Sequence, residues 1–253
     1  MMIRRFLYSL DRMTSPRKDE SQGAGVVIKE GLVFYLKYVV IAFLIIVVVL
    51  TVSKWLGVDI HNKMSTSAFK ESARANLPIR LLQMCLLGPL LEELHFRLWL
   101  SFKRVHLGIT LFFLSYVLLT KFVFPHEHDV YWFGYHSIYF GHAGPKVLIS
   151  GLLASSVLLL KQDWLSSLSD KTKHTIIYAS LFCFAALHLT NIVCPSYLYP
   201  FMLVLCLPQL ILGATVTYYR IQIGFFAGVA FHCLLNFMVA LPSYGKDIVS
   251  LLW

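Results

Sequence analysis

The sequence predicts an all-α integral membrane protein, a polytopic bundle of about seven or eight transmembrane helices. Composition is the first reason, because 58% of the 253 residues are apolar and only 14% are charged. Such a chain lacks the polar surface that a soluble globule needs. The second reason is that several segments supply the roughly 20 consecutive apolar residues that a helix needs to cross about 30 Å of hydrocarbon.

Seven segments are predicted to span the membrane as helices, because hydrocarbon offers unpaired backbone groups no partner. They lie near 32–57, 78–101, 105–124, 145–161, 174–192, 197–218 and 222–240. The short segment at 145–161 is typical of a tilted or partial span, and 243–253 is a candidate for an eighth short element. Residues 1–31 are predicted to be a polar N-terminal segment, and 32–253 a single transmembrane domain.

The basic residues predict orientation in the membrane. Lys and Arg are spread over the termini and loops instead of one amphipathic face, so the net charge of +9 does not predict a nucleic-acid partner. Basic residues in the N-terminal segment and in alternate loops place the N-terminus in the cytoplasm. The bilayer is therefore the first expected partner.

Ionisable side chains cluster within the second predicted span. Glu92, Glu93, His95 and Arg97 fall within six residues there, and a charge inside a span costs at least a few kcal/mol, so it needs a partner. Glu93 and Arg97 are four residues apart in the acid-first order and are predicted to pair on one helix face. Glu92 lies roughly 100° around the helix and is free to face a different cavity. The alternative is a helix end with snorkelling charges.

Two later spans carry histidines at helical spacing. The fifth span places Phe184 and His188 four residues apart, although a lone buried histidine is more often structural than catalytic. The seventh span carries a stripe at successive intervals of four residues: Gly224, Gly228, His232 and Asn236. The glycines predict close approach of a neighbouring helix. The histidine and the asparagine then present an imidazole and an amide on the same face.

One glutamate and two histidines from three helices predict hydrolysis of an amide bond inside a membrane. A buried glutamate can act as a general base near neutral pH, and a neutral imidazole can hold the same water. An asparagine amide or a histidine N–H can stabilise the oxyanion. The same residues leave a transporter open, with Glu92 and His188 as its proton relay.

The segment 125–144 is rich in aromatic residues and histidine. Its imidazoles and carboxylates are a possible metal site, formed by His126, Glu127, His128 and Asp129. No fixed ligand spacing supports that hypothesis. An aromatic loop at the membrane interface is the preferred interpretation.

Three motifs together resemble the CPBP family of intramembrane proteases, which includes type II CAAX prenyl proteases and bacteriocin-processing or immunity relatives. The motifs of the family are E-E-x-x-x-R, F-x-x-x-H and H-x-x-x-N. They are matched, in order, by Glu92, Glu93 and Arg97, by Phe184 and His188, and by His232 and Asn236. The resemblance covers roughly 78–101 and 174–240.

The resemblance implies a membrane-embedded cavity in which Glu92 and His188 activate water while His232 and Asn236 hold the oxyanion. It also implies three residues that shape the site, namely Glu93, Arg97 and Phe184. A divalent metal such as zinc would be held by Glu92, His188 and His232, although a glutamate with a histidine-held water suffices chemically. The sequence departs from the family pattern because 95 residues separate Glu92 from His188.

The implied activity is that of an intramembrane endopeptidase acting on membrane-associated proteins or peptides. The bacterial plasma membrane is the expected location. The same resemblance leaves a second function open, because some relatives protect against bacteriocins or serve as scaffolds. A non-proteolytic immunity or partner-binding protein of the same fold is therefore the alternative.

Overall fold

The structure, a computed structural model, describes residues 2–15, 22–55, 65–66, 81–123, 130–132, 135–137, 143–160, 164–189, 192–193 and 199–252. Over these residues the chain is helical apart from four strands of two or three residues each. The all-α prediction is therefore confirmed at this level. The possible metal ligands at 126–129 lie outside the described residues.

The helices account for nearly all of the described chain. They are α1 (Met2–Met13), α2 (Ala24–Trp55), α3 (Gly88–Phe96), α4 (Arg104–Leu118), α5 (Ala143–Leu158), α6 (Asp170–Leu189), α7 (Tyr199–Leu205), α8 (Leu207–Gln222) and α9 (Phe225–Leu252). A π-helical turn, Gln83–Leu87, leads into α3, a 3₁₀ turn, Leu98–Ser101, follows it, and a second π-helical turn, Leu119–Val123, follows α4.

The strands form two small antiparallel pairs. Strand β1 (Ser65–Thr66) pairs with β4 (Ile192–Val193). Strand β2 (Val130–Trp132) pairs with β3 (Tyr135–Ser137) as a hairpin inside the predicted aromatic loop. The aromatic and β-branched residues of this loop favour strands. The sequence prediction assigned the segment to a loop and did not predict the hairpin.

Within the described residues, two helical segments are long and apolar enough to cross a membrane, by length and composition. They are Ala24–Trp55 and Leu203–Gln222. Three apolar helices are shorter, with 10 to 17 residues: Arg104–Leu118, Ala143–Leu158 and Phe225–Leu241. Membrane association is consistent with these lengths, and the arrangement of seven or eight spans stays a prediction.

Several predicted boundaries are wrong. Helix α2 begins at Ala24 instead of 32, and α1 lies within the segment predicted only to be polar. The predicted span 197–218 is two helices that meet at Cys206, with a proline in the first turn of α8, where its missing N–H costs nothing. Helix α9 continues through the predicted eighth element at 243–253 as far as Leu252.

The contacts divide the chain into two units: residues 1–73 with 170–228, and residues 74–169 with 229–253. In the first unit α2 and α8 pack closely. A Cβ added to Gly31 would lie 2.5 Å from the ring of Tyr219, and the hydroxyl of Tyr219 donates to the carbonyl of Ile28 at 2.8 Å. The Tyr218 hydroxyl donates to Glu30 Oε2 at 2.7 Å. The missing side chain at Gly31 therefore permits this contact.

Polar side chains also attach α1 to the first unit. The hydroxyls of Ser9 and Tyr38 are hydrogen-bonded at 3.0 Å and connect α1 to α2. The buried hydroxyl of Thr14 contacts His174 Nε2 of α6 at 3.1 Å. The N-terminal segment is thus packed onto the first unit.

Gly224 and Gly228 have different structural roles. Gly224 lies before α9 with a φ of +149°, and its amide donates to the carbonyl of Tyr219 at 3.0 Å, which ends α8. A Cβ at Gly228 would approach the backbone oxygen of Val216 to 3.2 Å. The predicted stripe of four is therefore wrong at Gly224, because a glycine with positive φ terminates one helix before the next begins.

In the second unit α4 packs against both α5 and α3. The guanidinium of Arg104 donates to the carbonyls of Leu158 and Leu160, each at 3.0 Å, past the end of α5. The buried hydroxyl of Thr110 donates to the carbonyl of Leu94 in α3 at 2.8 Å. Helix α3, which carries the glutamates, is thereby held by hydrogen bonding to a neighbour.

Candidate functional site

The glutamate-bearing helix begins in a widened turn. The amide of Gly88 donates to the carbonyl of Gln83, five residues earlier, which is the π-helical pattern. Pro89 follows at the start of α3 and has no amide to donate. Single π-helical turns are frequent at functional sites. This turn sets the direction from which Glu92 and Glu93 leave α3.

Glu93 lies at the centre of a buried polar cluster. One oxygen, Oε1, accepts hydrogen bonds from both Arg97 Nη1 and His232 Nδ1, the latter at 2.8 Å. The side chains of Glu93 and Arg97 are each only 1% exposed. The predicted Glu93–Arg97 pair is therefore confirmed. Because a carboxylate only accepts, the hydrogen bond fixes the imidazole tautomer with its proton on Nδ1.

The sequence did not predict the contact between Glu93 and His232. The two residues are 139 positions apart, and the interpretation of the spacing assigned Glu93 to Arg97 alone. A buried ion pair with acceptor capacity to spare needs a further donor. That requirement, applied to the ionisable residues of the other helices, is the pattern that would have pointed to His232.

Glu92 faces the opposite nitrogen of the same imidazole. Its Oε2 lies 3.6 Å from His232 Nε2, and its side chain is 32% exposed. The adjacent glutamates therefore differ in burial, as expected, but both lie against the same imidazole. The two side chains leave α3 about 100° apart. Both still reach the imidazole of His232, because its two nitrogens lie on different sides of the ring. The distance is longer than a direct hydrogen bond and suits a bridging water.

Asn236 lies one turn beyond His232 on α9. Its Nδ2 donates to the carbonyl of Met84 at 2.9 Å, in the π-helical turn that precedes α3. This bond satisfies a backbone carbonyl in a turn where the regular ladder is disturbed. Asn236 thus attaches α9 to the start of the glutamate-bearing helix, and its role as an oxyanion donor stays a prediction.

Phe184 and His188 lie in the first unit, near the end of α6. Their ring centroids are 4.6 Å apart with the rings edge to face. The imidazole Nδ1–H donates to the carbonyl of Phe184 at 2.9 Å, because a carbonyl oxygen only accepts. Phe184 is fully buried and His188 is partly exposed. The predicted meeting of His188 with Glu92 and His232 stays a prediction.

His95 belongs to the sequence cluster, but it has different neighbours. Its buried ring lies 6.0 Å from the ring of Phe113 and 6.3 Å from the ring of Phe96, centroid to centroid, both in edge-to-face geometry. These contacts make His95 a packing residue between α3 and α4.

Two of the three predicted zinc ligands, Glu92 and His232, lie beside each other in the second unit, and the third, His188, lies in the first unit. Within the described ranges no three His, Cys, Asp or Glu side chains form a group that could hold a metal. In the second unit Nδ1 of His232 is occupied by Glu93. The donors that remain beside each other are Glu92 and Nε2 of His232, whereas catalytic zinc takes three protein ligands. The reaction proposed for this site uses the side chains and a water molecule.

No protein-family model, curated protein or solved structure matches the chain. The resemblance to CPBP proteases therefore rests on three short motifs, and the site is interpreted from its own geometry. That geometry places an imidazole between two carboxylates in the second unit, one carboxylate deeply buried and the other open.

Proposed function

We propose that the chain is a multi-span membrane protein that hydrolyses peptide bonds of membrane-associated proteins or peptides. The observation that carries the proposal is the imidazole of His232, with buried Glu93 on Nδ1 and more exposed Glu92 opposite Nε2. A histidine oriented by a buried carboxylate, with a second proton-transfer group beside its other nitrogen, suits the activation of water.

In the proposed reaction a water lies between Glu92 and Nε2 of His232. Glu92 takes a proton from this water while the water oxygen bonds to the peptide carbonyl carbon. The product of this step is a tetrahedral intermediate. Collapse of the intermediate breaks the carbon–nitrogen bond, and Glu92 returns the proton to the leaving amine. His232 here holds the water, which the family resemblance assigns to His188.

The buried charges support this division of roles. Arg97 neutralises Glu93, so that the carboxylate that orients His232 does not add a second negative charge beside Glu92. Two carboxylates that share one imidazole without a cation would repel each other and favour protonation of one of them. Asn236 keeps one N–H beyond its bond to Met84, and that N–H is the proposed oxyanion donor.

The proposed location is the bacterial plasma membrane, with the N-terminus in the cytoplasm. Helix α2 supports it, because the most apolar part of this 32-residue helix is only 17% buried. A long apolar helix with this much exposed surface needs an apolar solvent. In the proposed bundle α4, α5 and the first part of α9 are partial spans or thin the bilayer locally, because they are shorter than the hydrocarbon core.

The test is Glu92→Gln, which keeps the shape of the side chain and removes the base. We expect the purified variant to lose peptide cleavage by about 100-fold or more, measured with membrane peptides in detergent. Its melting temperature should stay at the parent value, because the Glu92 side chain is partly exposed. Asp170→Asn, the same change on an exposed carboxylate of the first unit, is the matched control. Full activity of Glu92→Gln would exclude the proposed base.

A second candidate, a non-proteolytic immunity or partner-binding protein, is favoured by one observation. Glu93, His232 and Asn236 all make contacts between α9 and the segment 83–97, as a purely structural network would. The Glu92→Gln variant separates the two functions. A structural network predicts that parent and variant both leave the peptides uncut and that the variant still binds the partner.

A further inference from the structure

The first unit contains two neighbouring cavities along α2, together called the groove, that the proposed hydrolysis does not use. One end is an apolar cavity of about 200 Å³ lined by side chains of α1, α2 and α8, among them Phe6, Ile41, Ile45 and Ile211. Positions 38, 41, 42 and 45 recur at helical spacing, so they form one face of α2. This face meets Ile211 of α8 and Phe6 of α1.

The other end of the groove is polar. A cavity of about 500 Å³ adjoins the first at Tyr38, which lines both. Its lining includes two exposed lysines, Lys29 and Lys37, and one carboxylate, Glu30. Glu30 accepts a hydrogen bond from the Tyr218 hydroxyl at 2.7 Å, which partly offsets its negative charge towards an incoming anion. The polar end therefore favours an anionic group.

Along α2 the polar end of the groove comes before the apolar end, in the same order as the interface and the hydrocarbon core of a membrane. The lysines precede Tyr38, and the apolar positions follow it in the same helix, whose mean hydropathy reaches 2.8. Lysines before a span lie near the interface, where they attract anionic headgroups. The apolar cavity then lies deeper, at the level of the acyl chains.

We propose that this groove binds an anionic phospholipid of the membrane, with its headgroup at Lys29 and Lys37 and one acyl chain along Ile41, Ile45 and Ile211. A peptide fits worse, because the apolar end offers no partner for its backbone N–H and carbonyl groups. A helix of a second copy, about 10 Å wide with its side chains, is too thick for a cavity of about 200 Å³. The inference rests on the proposed membrane location of α2 and not on catalysis.

The experiment measures lipid binding to the purified full chain in a neutral detergent by native mass spectrometry. Phosphatidylglycerol and phosphatidylcholine with identical acyl chains are compared, and phosphatidylglycerol should bind more tightly. Lys29→Gln and Lys37→Gln should each weaken phosphatidylglycerol binding by roughly fivefold and leave phosphatidylcholine unchanged. Lys54→Gln, an exposed lysine at the far end of α2, should change neither.

A second pair of variants tests the apolar end. Ala42→Leu projects into the apolar cavity that Ala42 lines and should weaken binding of both lipids, whereas Val40→Leu, on an exposed position of the same helix, should not. Phosphatidylglycerol binding by Lys29→Gln and Lys37→Gln that stays at the parent value would overturn the proposal. So would glycerol phosphate raising the melting temperature as much as the lipid does, because an anion site without a chain would explain that result. A dimer that separates in Ala42→Leu would assign the groove to a second copy.

Discussion

Both units bury hydroxyl groups, but within the described residues the second unit alone also buries charged and imidazole side chains. Within the described part of the chain, the first unit buries uncharged groups: Thr14, Ser53, Ser180, Thr215, Thr217 and Gln222. The second unit buries all the charged and imidazole side chains that are buried there: Glu93, His95, Arg97, Lys146 and His232. Hydroxyls and amides are satisfied by nearby carbonyls at small cost, whereas a buried charge needs a fixed partner.

This difference is the basis for proposing that the functional site lies in the second unit. In the first unit Thr215 donates to Ile211, four residues earlier in its own helix, and such a bond needs no neighbouring helix. In the second unit Glu93 is satisfied only when Arg97 and His232 both reach the same oxygen. For a chain proposed to span a membrane, an ionisable residue kept at that cost is a functional-site hypothesis by default, and this is why the proposed chemistry lies in the second unit.

Removal of the cation from the buried cluster should have the largest effect. Arg97→Ala leaves Glu93 charged and 1% exposed, and breaking such a pair typically costs about 3–5 kcal/mol. We expect a large fall in melting temperature and yield, measured in one detergent. Ser180→Ala, which removes a buried neutral hydroxyl of the first unit, should cost about 1 kcal/mol.

The difference in melting temperature between Arg97→Ala and Ser180→Ala tests whether buried charges are more costly to disturb than buried hydroxyls. If Arg97→Ala and Ser180→Ala lower the melting temperature equally, the buried charges of the second unit are no more costly than the hydroxyls of the first. Collapse of Glu92→Gln beside a stable Arg97→Ala would reverse the roles assigned to the adjacent glutamates.

The second effect concerns the close packing of the first unit. An alanine at Gly31 would place its Cβ 2.5 Å from the Tyr219 ring, and overpacking of this kind costs about 1–3 kcal/mol. Gly25→Ala on the same helix meets no atom within 4 Å and should be neutral or slightly stabilising. Thermal melting of both variants tests the contact, and an unchanged Gly31→Ala would show that α2 and α8 separate without cost.

Local spacing explains which parts of the fold were predictable. Apolar runs predicted helices at α2, α4, α5, α6, α8 and α9, because a long apolar segment has few alternatives. The hairpin Val130–Trp132 with Tyr135–Ser137 and the break at Cys206 were missed. The hairpin depends on pairing between two short segments of the aromatic loop, which hydropathy does not measure. The break at Cys206 is marked by a proline in the first turn of α8, which an average over an apolar run does not register.

The contacts of the candidate site also include one that was predictable from local spacing and two that were not. The Glu93–Arg97 pair follows from a separation of four residues on one helix, and the structure contains it. The bond from Glu93 to His232 and the bond from Asn236 to Met84 join segments 139 and 152 positions apart. Such contacts depend on how helices pack, which no spacing within one helix specifies.

The smallest predicted effect tests the comparison between the units most directly, with the same substitution in each. Thr110→Val removes a hydrogen bond that joins α4 to Leu94 of α3 at 2.8 Å, whereas Thr215→Val removes one within α8 at 2.9 Å. Both threonines are nearly fully buried, at 2% and 0% exposure, so valine replaces the hydroxyl with a methyl group of similar volume in each.

Thr110→Val should cost about 1 kcal/mol, because the Leu94 carbonyl loses a donor from another helix. Thr215→Val should be close to neutral, since the Ile211 carbonyl keeps its helical partner and back-bonding by threonine slightly destabilises a helix. Melting temperatures in one detergent give the difference between the two variants. Equal losses would mean that bonds between helices contribute no more than bonds within a helix here, and the second unit would then depend on its charged cluster alone.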